Sequence, residues 1–372
     1  AVAMLMFDAW NVLASPVVFW QHILPGPGLR FVIQRARFGA PAEAWYSSRG
    51  WFDSRSWLKF DLATMYALLW MRAFGARVPL PTIVRPADAL VVVRHIRRVI
   101  DERGSCLVST GTSSGARLAA AAEQAGVRLD GATVRLGGEP VTPAKADLIR
   151  RTGARVLPTY GAVETGAIGL GCPHGTASDH MHVASESVAL ITKPLWIEEA
   201  GVSVDAFNLT SLVDASPTVM LNYQIDDYGT IDRRACGCPL HAAGFTTSMH
   251  GVHSYSKLLG ESVTLLGNEV QRVLEDVLPR RFGGTALDYQ LLEREDGQGF
   301  TRVFLIVSPR IQLHDEQEPA RVLLDAFRAS GARGDSAGSI WQQAGTLHVL
   351  RQEPTPTARG KLLPLHRERP VS

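Results

Sequence analysis

From residue 105 onward the apolar positions fall in short runs, split by turn residues and alternating with amphipathic stretches. The run CLVST (106–110) reads as a buried strand. A Ser/Gly loop and the helical segment GARLAAAAEQA follow, giving a helix over about 114–125 that Gly126 closes as a left-handed cap would. ATVRL (132–136) reads as the next strand, a helix over about 142–151 opens on Thr142-Pro143, and RVLP (155–158) reads as a third strand. Alternation of this kind predicts a mainly parallel sheet covered by helices. Residues 1–104 read as helix-rich, with breaks at Pro25-Gly26-Pro27-Gly28 and between Pro79 and Pro86. The apolar opening (1–20) is interrupted by Asp8, Asn11 and Pro16, so it is expected to be a buried core helix rather than a membrane span. Residues 59–74 are apolar at helical spacing and are also expected in the core.

After Gly166 the texture changes. ESVALIT (186–192), SVDAFNL (203–209), TVMLNY (218–223) and GTIDR (229–233) are β-like runs separated by turn residues. They predict a smaller, more antiparallel region. The stretch Gly251-Val252-His253-Ser254-Tyr255-Ser256 breaks that pattern. Beyond it, a helix (268–278), a strand (301–308), a helix (319–329) and a strand (345–352) predict a small α+β domain. The expected division is 1–252 and 253–372, with a hinge near 250–257.

The chain has 372 residues and a formal net charge of +2, from 38 basic and 36 acidic side chains. That balance excludes the strong field of a nucleic-acid binder. No basic leader precedes the apolar opening, so no signal peptide is expected. Four cysteines are too few for a disulfide framework in a chain this long, so a reducing cytoplasm is expected.

The chemistry-bearing residues cluster between Gly137 and Gly166, in GGEPVTPAKADLIRRTGARVLPTYGAVETG. Gly138, Glu139 and Pro140 sit at one strand end, and Tyr160, Gly161 and Glu164 at the next. Ligands in open α/β sheets bind outside the carboxyl ends of the strands, so both segments line one crevice. Further on come Asp226-Asp227 in LNYQIDDYG and Lys361 in PTPTARGKLLPL. Cys172, Cys236 and Cys238 supply three thiols, with His174, His180 and His182 as nearby imidazoles. Three thiolates and one imidazole form a tetrahedral zinc set. Gly111-Thr112-Ser113-Ser114-Gly115 satisfies the G-x-S-x-G pattern of a hydrolase elbow, with Ser113 as nucleophile and Asp227 and His253 in triad order.

GGEP followed by YGAVE resembles the adenine-binding and magnesium-binding segments of adenylate-forming enzymes, the acyl-CoA synthetase and phenylacetate-CoA ligase superfamily. The resemblance covers about residues 105–372 and is nearest to phenylacetate-CoA-ligase-like and phenazine-antibiotic-type adenylation proteins. It implies a large N-terminal α/β domain with a β-rich subdomain, and a mobile α+β C-terminal lid. It implies that Gly138, Glu139, Pro140, Tyr160 and Gly161 hold adenine, that Asp227 holds ribose, and that Glu164 holds magnesium. Lys361, in Thr357-Ala358-Arg359-Gly360-Lys361, then stabilises charge at the α-phosphate. Gly111, Thr112, Ser113, Thr165 and Gly166 would line the acid pocket. His182 becomes the zinc nitrogen, because Met181-His182-Val183 matches the family arrangement between Cys172 and Cys236-Gly237-Cys238.

The implied reaction is ATP-dependent activation of a small carboxylic acid as its acyl-adenylate, using ATP/AMP and magnesium. Transfer to coenzyme A, a carrier protein or an amine would follow, in natural-product biosynthesis. The apolar segment 163–170 favours an aryl or alkyl acid. A second copy of the chain is a further expected partner. Five positions depart from the pattern. Val163 replaces a hydroxyl, Gln224 replaces the ribose-segment Arg, Asp226 replaces its Gly, and the hinge lacks its Arg and Asp, keeping only Lys257 and Gly260. The phosphate loop is not visible either; Ser47-Ser48-Arg49-Gly50 is its only weak counterpart, so either the sequence starts after that loop or the protein has dispensed with ordinary ATP handling. A non-catalytic binding relative and a Ser113 hydrolase are the competing readings.

Overall fold

A computed structural model gives the conformation of residues 2–37, 39–52, 57–162, 164–198, 202–214, 216, 218–255, 267–295, 301–329, 347–357 and 360–368. In chain order the first elements are α1 (Val2–Ala9), β1 (Val17–Trp20), α2 (Gly28–Arg37), β2 (Ala44–Ser47), α3 (Trp57–Ala73), β3 (Pro81–Ile83) and α4 (Ala89–Arg103). Then come β4 (Cys106–Gly111), α5 (Thr112–Gln124), β5 (Ala132–Gly137), α6 (Pro143–Arg151) and β6 (Arg155–Ala162). The β-rich part holds β7 (Gly166–Gly171), β8 (Met181–Val183), β9 (Val188–Ile197), β10 (Val202–Ser211), β11 (Tyr223–Arg233), α7 (Pro239–Ala242) and β12 (Thr247–Ser254). The last part holds α8 (Gly267–Arg272), a π-helical turn (Val273–Val277), α9 (Leu278–Phe282), β13 (Tyr289–Glu295), β14 (Thr301–Val307), α10 (Glu318–Arg328), β15 (Leu347–Arg351) and β16 (Leu365–Glu368).

Twelve strands form one sheet in the order β3-β2-β1-β4-β5-β6-β7-β8-β12-β11-β10-β9, and four form a second in the order β15-β14-β13-β16. From β3 to β6 all neighbours are parallel. From β6 onward they are antiparallel. β6 serves both halves: residues 155–158 pair with β5 and residues 159–162 with β7. The parallel half winds outward in both directions from β1 and β4, so its topological switch point lies between them. That is where ligands of open α/β sheets bind.

One apolar cluster, including Val92, Ile96, Leu118, Val134 and Ile149, fills the space between the parallel strands and α4, α5 and α6. A second, including Met6, Phe19, Trp45 and Leu107, lies on the opposite face under α1 and α2. The four-stranded sheet has its own core around Leu274, Leu305 and Phe327.

Three expectations for the first hundred residues fail. The region is not simply helix-rich, since it supplies β1, β2 and β3. The opening apolar run is a short helix and then a strand, not one core helix. α3 is a helix as expected, but its apolar side faces outward: Leu58, Tyr66, Leu69 and Trp70 are all exposed, as is Phe74 just past its end. Its inward residues are Asp61, Thr64 and Leu68, and Asp61 is paired with Arg49 at 2.7 Å. A buried carboxylate with a guanidinium partner fixes that orientation. TVMLNY adds only its last residue to a strand, and the Gly251–Ser254 stretch continues β12 rather than interrupting it. The residues most suited to a hinge, Lys257 and Gly260, lie outside the described residues. Among the described residues no helix is long and apolar enough to cross a membrane.

Candidate active site

The carboxyl ends of β4, β5 and β6 meet in a nearly side-chain-free floor. Gly111 is in register with Gly137, and a Cβ on Gly137 would lie 3.0 Å from the Thr159 hydroxyl. The chain then turns at Gly138, whose φ of +79° is left-handed and favours glycine. Glu139 folds back across this turn. Its Oε2 accepts hydrogen bonds from the Ser113 amide at 2.8 Å and the Ser113 hydroxyl at 2.6 Å, while its carbonyl accepts from Thr112 Oγ1 at 3.0 Å. A carboxylate at the N-terminus of α5 is electrostatically favourable. Glu139 therefore ties the Gly111–Ser113 loop to the Gly138 turn. The side chain does not project into open space.

β6 delivers Tyr160 beside Asp227 of β11, and the tyrosine hydroxyl donates to Asp227 Oδ2 at 2.7 Å. Burial, reinforced by the Asp227 carboxylate, pushes the phenol pKa well above its ordinary value. One side of the Tyr160 ring lies 6.4 Å from Phe207. The β6–β7 turn is tight: a Cβ on Gly161 would come within 2.4 Å of the Gly166 carbonyl. Glu164 sits exposed on that turn. Thr165 is buried with its hydroxyl unpartnered. Val163 lies outside the described residues, as does Pro217 of the ribose segment.

The last part of the chain reaches into this crevice. Lys361 Nζ donates to the Gly138 carbonyl at 2.5 Å, across 223 residues. The loop carrying it is closed by Thr357 N to Lys361 O at 2.8 Å and Gly360 N to Thr357 O at 2.8 Å. Leu362 N donates to Ser113 Oγ at 3.1 Å. A Cβ at Gly360 would lie 3.6 Å from Ser48 Oγ, so the Ser47–Gly50 segment also borders the crevice.

Three residues that the sequence did not single out hold this loop and the segment behind it. Arg117 donates to the Gly360 carbonyl at 2.7 Å; burial lowers its pKa and Glu139 opposes the shift. Gln290, fully buried in β13, donates to the carbonyls of Leu363 at 2.8 Å and Thr355 at 3.1 Å. Glu275, in the π-helical turn, pairs with Lys145 of α6 at 2.8 Å and accepts from Thr142, the N-cap of that helix. Lone polar residues offered the available signal: an Arg in an alanine-rich helix and a Gln in an apolar strand.

Beyond β7, starting eight residues after Glu164 at Cys172, the thiols also converge. The ligand atoms of Cys172, His182, Cys236 and Cys238 all lie within 4.8 Å of one another. Cys172 Sγ is 3.7 Å from Cys236 Sγ, and His182 Nε2 is 3.5 Å and 3.1 Å from the sulfurs of Cys236 and Cys238. A tetrahedron with metal–sulfur arms of about 2.3 Å separates its sulfurs by about 3.8 Å. His182 Nδ1 is 2.7 Å from the Phe245 carbonyl, which fixes the proton on Nδ1 and leaves the Nε2 lone pair facing the sulfurs, free to accept from a thiol or to ligate a metal. His174 instead contacts the Cys236 carbonyl, and His180 lies against Thr176.

The hydrolase triad does not assemble. Ser113 is buried and hydrogen-bonded to Glu139, Asp227 is engaged by Tyr160, and His253 lies against Tyr228 at 5.9 Å. Among the described residues, no hydrogen bond joins Ser113, Asp227 and His253.

No protein-family model matches the chain, and no curated protein does. Solved structures do. A four-domain nonribosomal peptide synthetase bound to AMP and glycine aligns with 97% of this chain and 24% of its own, at 13% identity and a TM-score of 0.50. An anthranilate CoA ligase in complex with anthranoyl-AMP aligns with 97% of this chain and 61% of its own, at 13% identity and a TM-score of 0.49. O-succinylbenzoate coenzyme A synthetase from Bacillus subtilis, in complex with ATP and magnesium ion, aligns with 90% of this chain and 64% of its own, at 15% identity and a TM-score of 0.44. The chain thus spans less than two thirds of the length of these proteins. The large mixed sheet with a small second one is a fold shared with the nonribosomal peptide synthetase, and it is the α/β architecture with a β-rich part and a small α+β part that the sequence predicted.

Proposed function

We propose that this chain forms acyl-adenylates from ATP and a carboxylic acid. The observation that carries this reading is the reach of Lys361 to Gly138, next to the Tyr160–Asp227 pair. Three segments distant in sequence thereby meet at one sheet end.

In this reading Gly138, Glu139, Pro140 and Gly161 frame the adenine slot, and the Tyr160 ring forms its wall. Asp227 accepts from the ribose hydroxyls through Oδ1, since Tyr160 already occupies Oδ2. Gly111, Thr112, Ser113, Thr165 and Gly166 line the acid pocket. The acid's carboxylate oxygen attacks the α-phosphorus, a P–O bond to the new acyl-phosphate forms, and the bond to pyrophosphate breaks. Lys361 exchanges the Gly138 carbonyl for an α-phosphate oxygen and offsets the charge that develops there. Exposed Glu164 fits a magnesium ligand, because hard cations take carboxylate oxygen; bound magnesium would neutralise the phosphates. The acyl group then passes to coenzyme A, a carrier-protein thiol or an amine.

The division expected at 252/253 falls inside β12 (Thr247–Ser254); a boundary beyond that strand would put the Lys361 loop on a separate small domain, able to leave after adenylation. The narrower likeness to phenylacetate-CoA ligases rests on the cysteine cluster. Its three sulfurs and one imidazole nitrogen fit a structural zinc, which would cross-link β7, β8 and the loop before α7.

Calorimetric titration with AMP tests the nucleotide half. Removing the Asp227 carboxylate forfeits a charge-assisted hydrogen bond of about 1.5–3 kcal/mol. Asp227→Ala should therefore weaken AMP roughly 10- to 100-fold. An absence of AMP binding by the unmodified protein refutes the proposal.

A further inference from the structure

The parallel sheet carries an unpaired charge directly beneath the glycine floor. Arg135 precedes Gly137 by two residues on β5, so both project from the same face. On β4, Ser109 is in register with Arg135 and Gly111 with Gly137. Arg135 thus lies one layer, about 6.6 Å, below the crevice where the acid's reacting carboxylate would sit. At Gly111 there is room for at least one further carbon. A Cβ at Gly111 would meet nothing nearer than the Gly137 carbonyl, at 3.9 Å.

The guanidinium is stacked on the ring of Phe31 at 4.8 Å and lies 5.9 Å from that of Phe7. Its Nη1 reaches Ser109 Oγ only at 3.4 Å, and its buried Nε has no partner. Among the described residues no carboxylate pairs with it. The charged group that acts on it is another cation, Arg30, whose Nη2 lies 3.6 Å from where a Gly166 Cβ would stand. Burial, with Arg30, lowers the Arg135 pKa to about 10, which leaves it protonated at neutral pH.

Arg135 is half-buried, and a cation drawn out of water without a counter-ion loses solvation that its surroundings must offset. Stacking on Phe31 offsets part of that loss but supplies no acceptor for its N–H groups. A ligand carboxylate would supply the missing partner, and the planar fork of arginine suits one bidentately. Resting on the acyl-adenylate reading, we infer that the acid substrate is a dicarboxylate: one carboxylate reacts at the glycine floor and the second is held by Arg135, with Arg30 at the rim. Phe7 and Phe31 would flank an alkyl or aryl body between the two.

Titration calorimetry with matched acids, run without nucleotide, tests this. Glutarate and adipate are compared with valerate and hexanoate, and phthalate with benzoate. At least one diacid should bind tenfold or more tighter than its monoacid. Arg135→Met should abolish that preference, while Arg135→Lys, which keeps the charge and loses the fork, should retain part of it. Equal binding of both classes, no binding of either, or an unchanged ratio in a folded Arg135→Met protein overturns the inference. A diacid preference in a protein that fails to bind AMP would instead keep the Arg135 site and refute the adenylate reading.

Discussion

Removing Glu275 should unfasten the small sheet from the large one. Glu275 and Lys145 are 2.8 Å apart, with side chains only 8% and 2% exposed. Glu275 also accepts from Thr142 and from Gln271 Nε2 at 2.9 Å. Glu275→Leu would strand a buried ammonium and two polar groups, at a cost of about 3–5 kcal/mol. Replacing both ions, in Lys145→Met with Glu275→Leu, should recover most of that, because apolar pairs often match buried ion pairs. Chemical denaturation of the four proteins gives the coupling directly.

The pH dependence adds a sign. Burial acts to lower the Lys145 pKa, but Glu275 and then Glu139 outweigh it and the net shift is upward. The native pair therefore contributes stability that is complete below about pH 10.4, the unfolded lysine value, and is lost as pH rises through the folded value. In Glu275→Leu the main opposing charge is gone and burial dominates, so stability should instead rise with pH toward about 10.4. A single-variant cost below about 1 kcal/mol, or the same alkaline slope in both proteins, would refute the reasoning.

Three other outcomes follow from the geometry. Gly161→Ala places a Cβ 2.4 Å from the Gly166 carbonyl, so the β6–β7 hairpin must shift; loss of at least about 2 kcal/mol in denaturation and weaker AMP binding are expected. The purified protein should carry one zinc per chain by elemental analysis, and Cys238→Ala should lose the metal and melt at lower temperature. Lys361→Ala should lower the rate of adenylation about 100-fold or more while leaving AMP affinity within about threefold, since its charge acts on the developing phosphate.

The strands read at 106–110, 132–136 and 155–158 were legible because each is a short apolar run beside glycine or helix-start residues, although β6 continues to Ala162 where it pairs with β7. β1, β2 and β3 were not. They have only four, four and three residues, and VVFW and AWYS show no polar alternation, being covered on both faces. α3 misled in the other direction: apolar periodicity locates a face but not whether that face is covered. In the site, Tyr160, Asp227, Lys361 and the three cysteines were readable because their residue types announce chemistry. Arg117, Gln290 and Glu275 were not, since their work lies in partners 243, 73 and 133 residues away. Arg135 was hidden inside a strand whose other residues read as core.

The most direct test of the central claim is ATP–pyrophosphate exchange by the full protein with magnesium and a panel of alkyl, aryl and dicarboxylic acids. Exchange that needs both an acid and magnesium, and that falls sharply in Lys361→Ala, is the predicted result. No exchange with any acid, or exchange indifferent to Lys361, would contradict it.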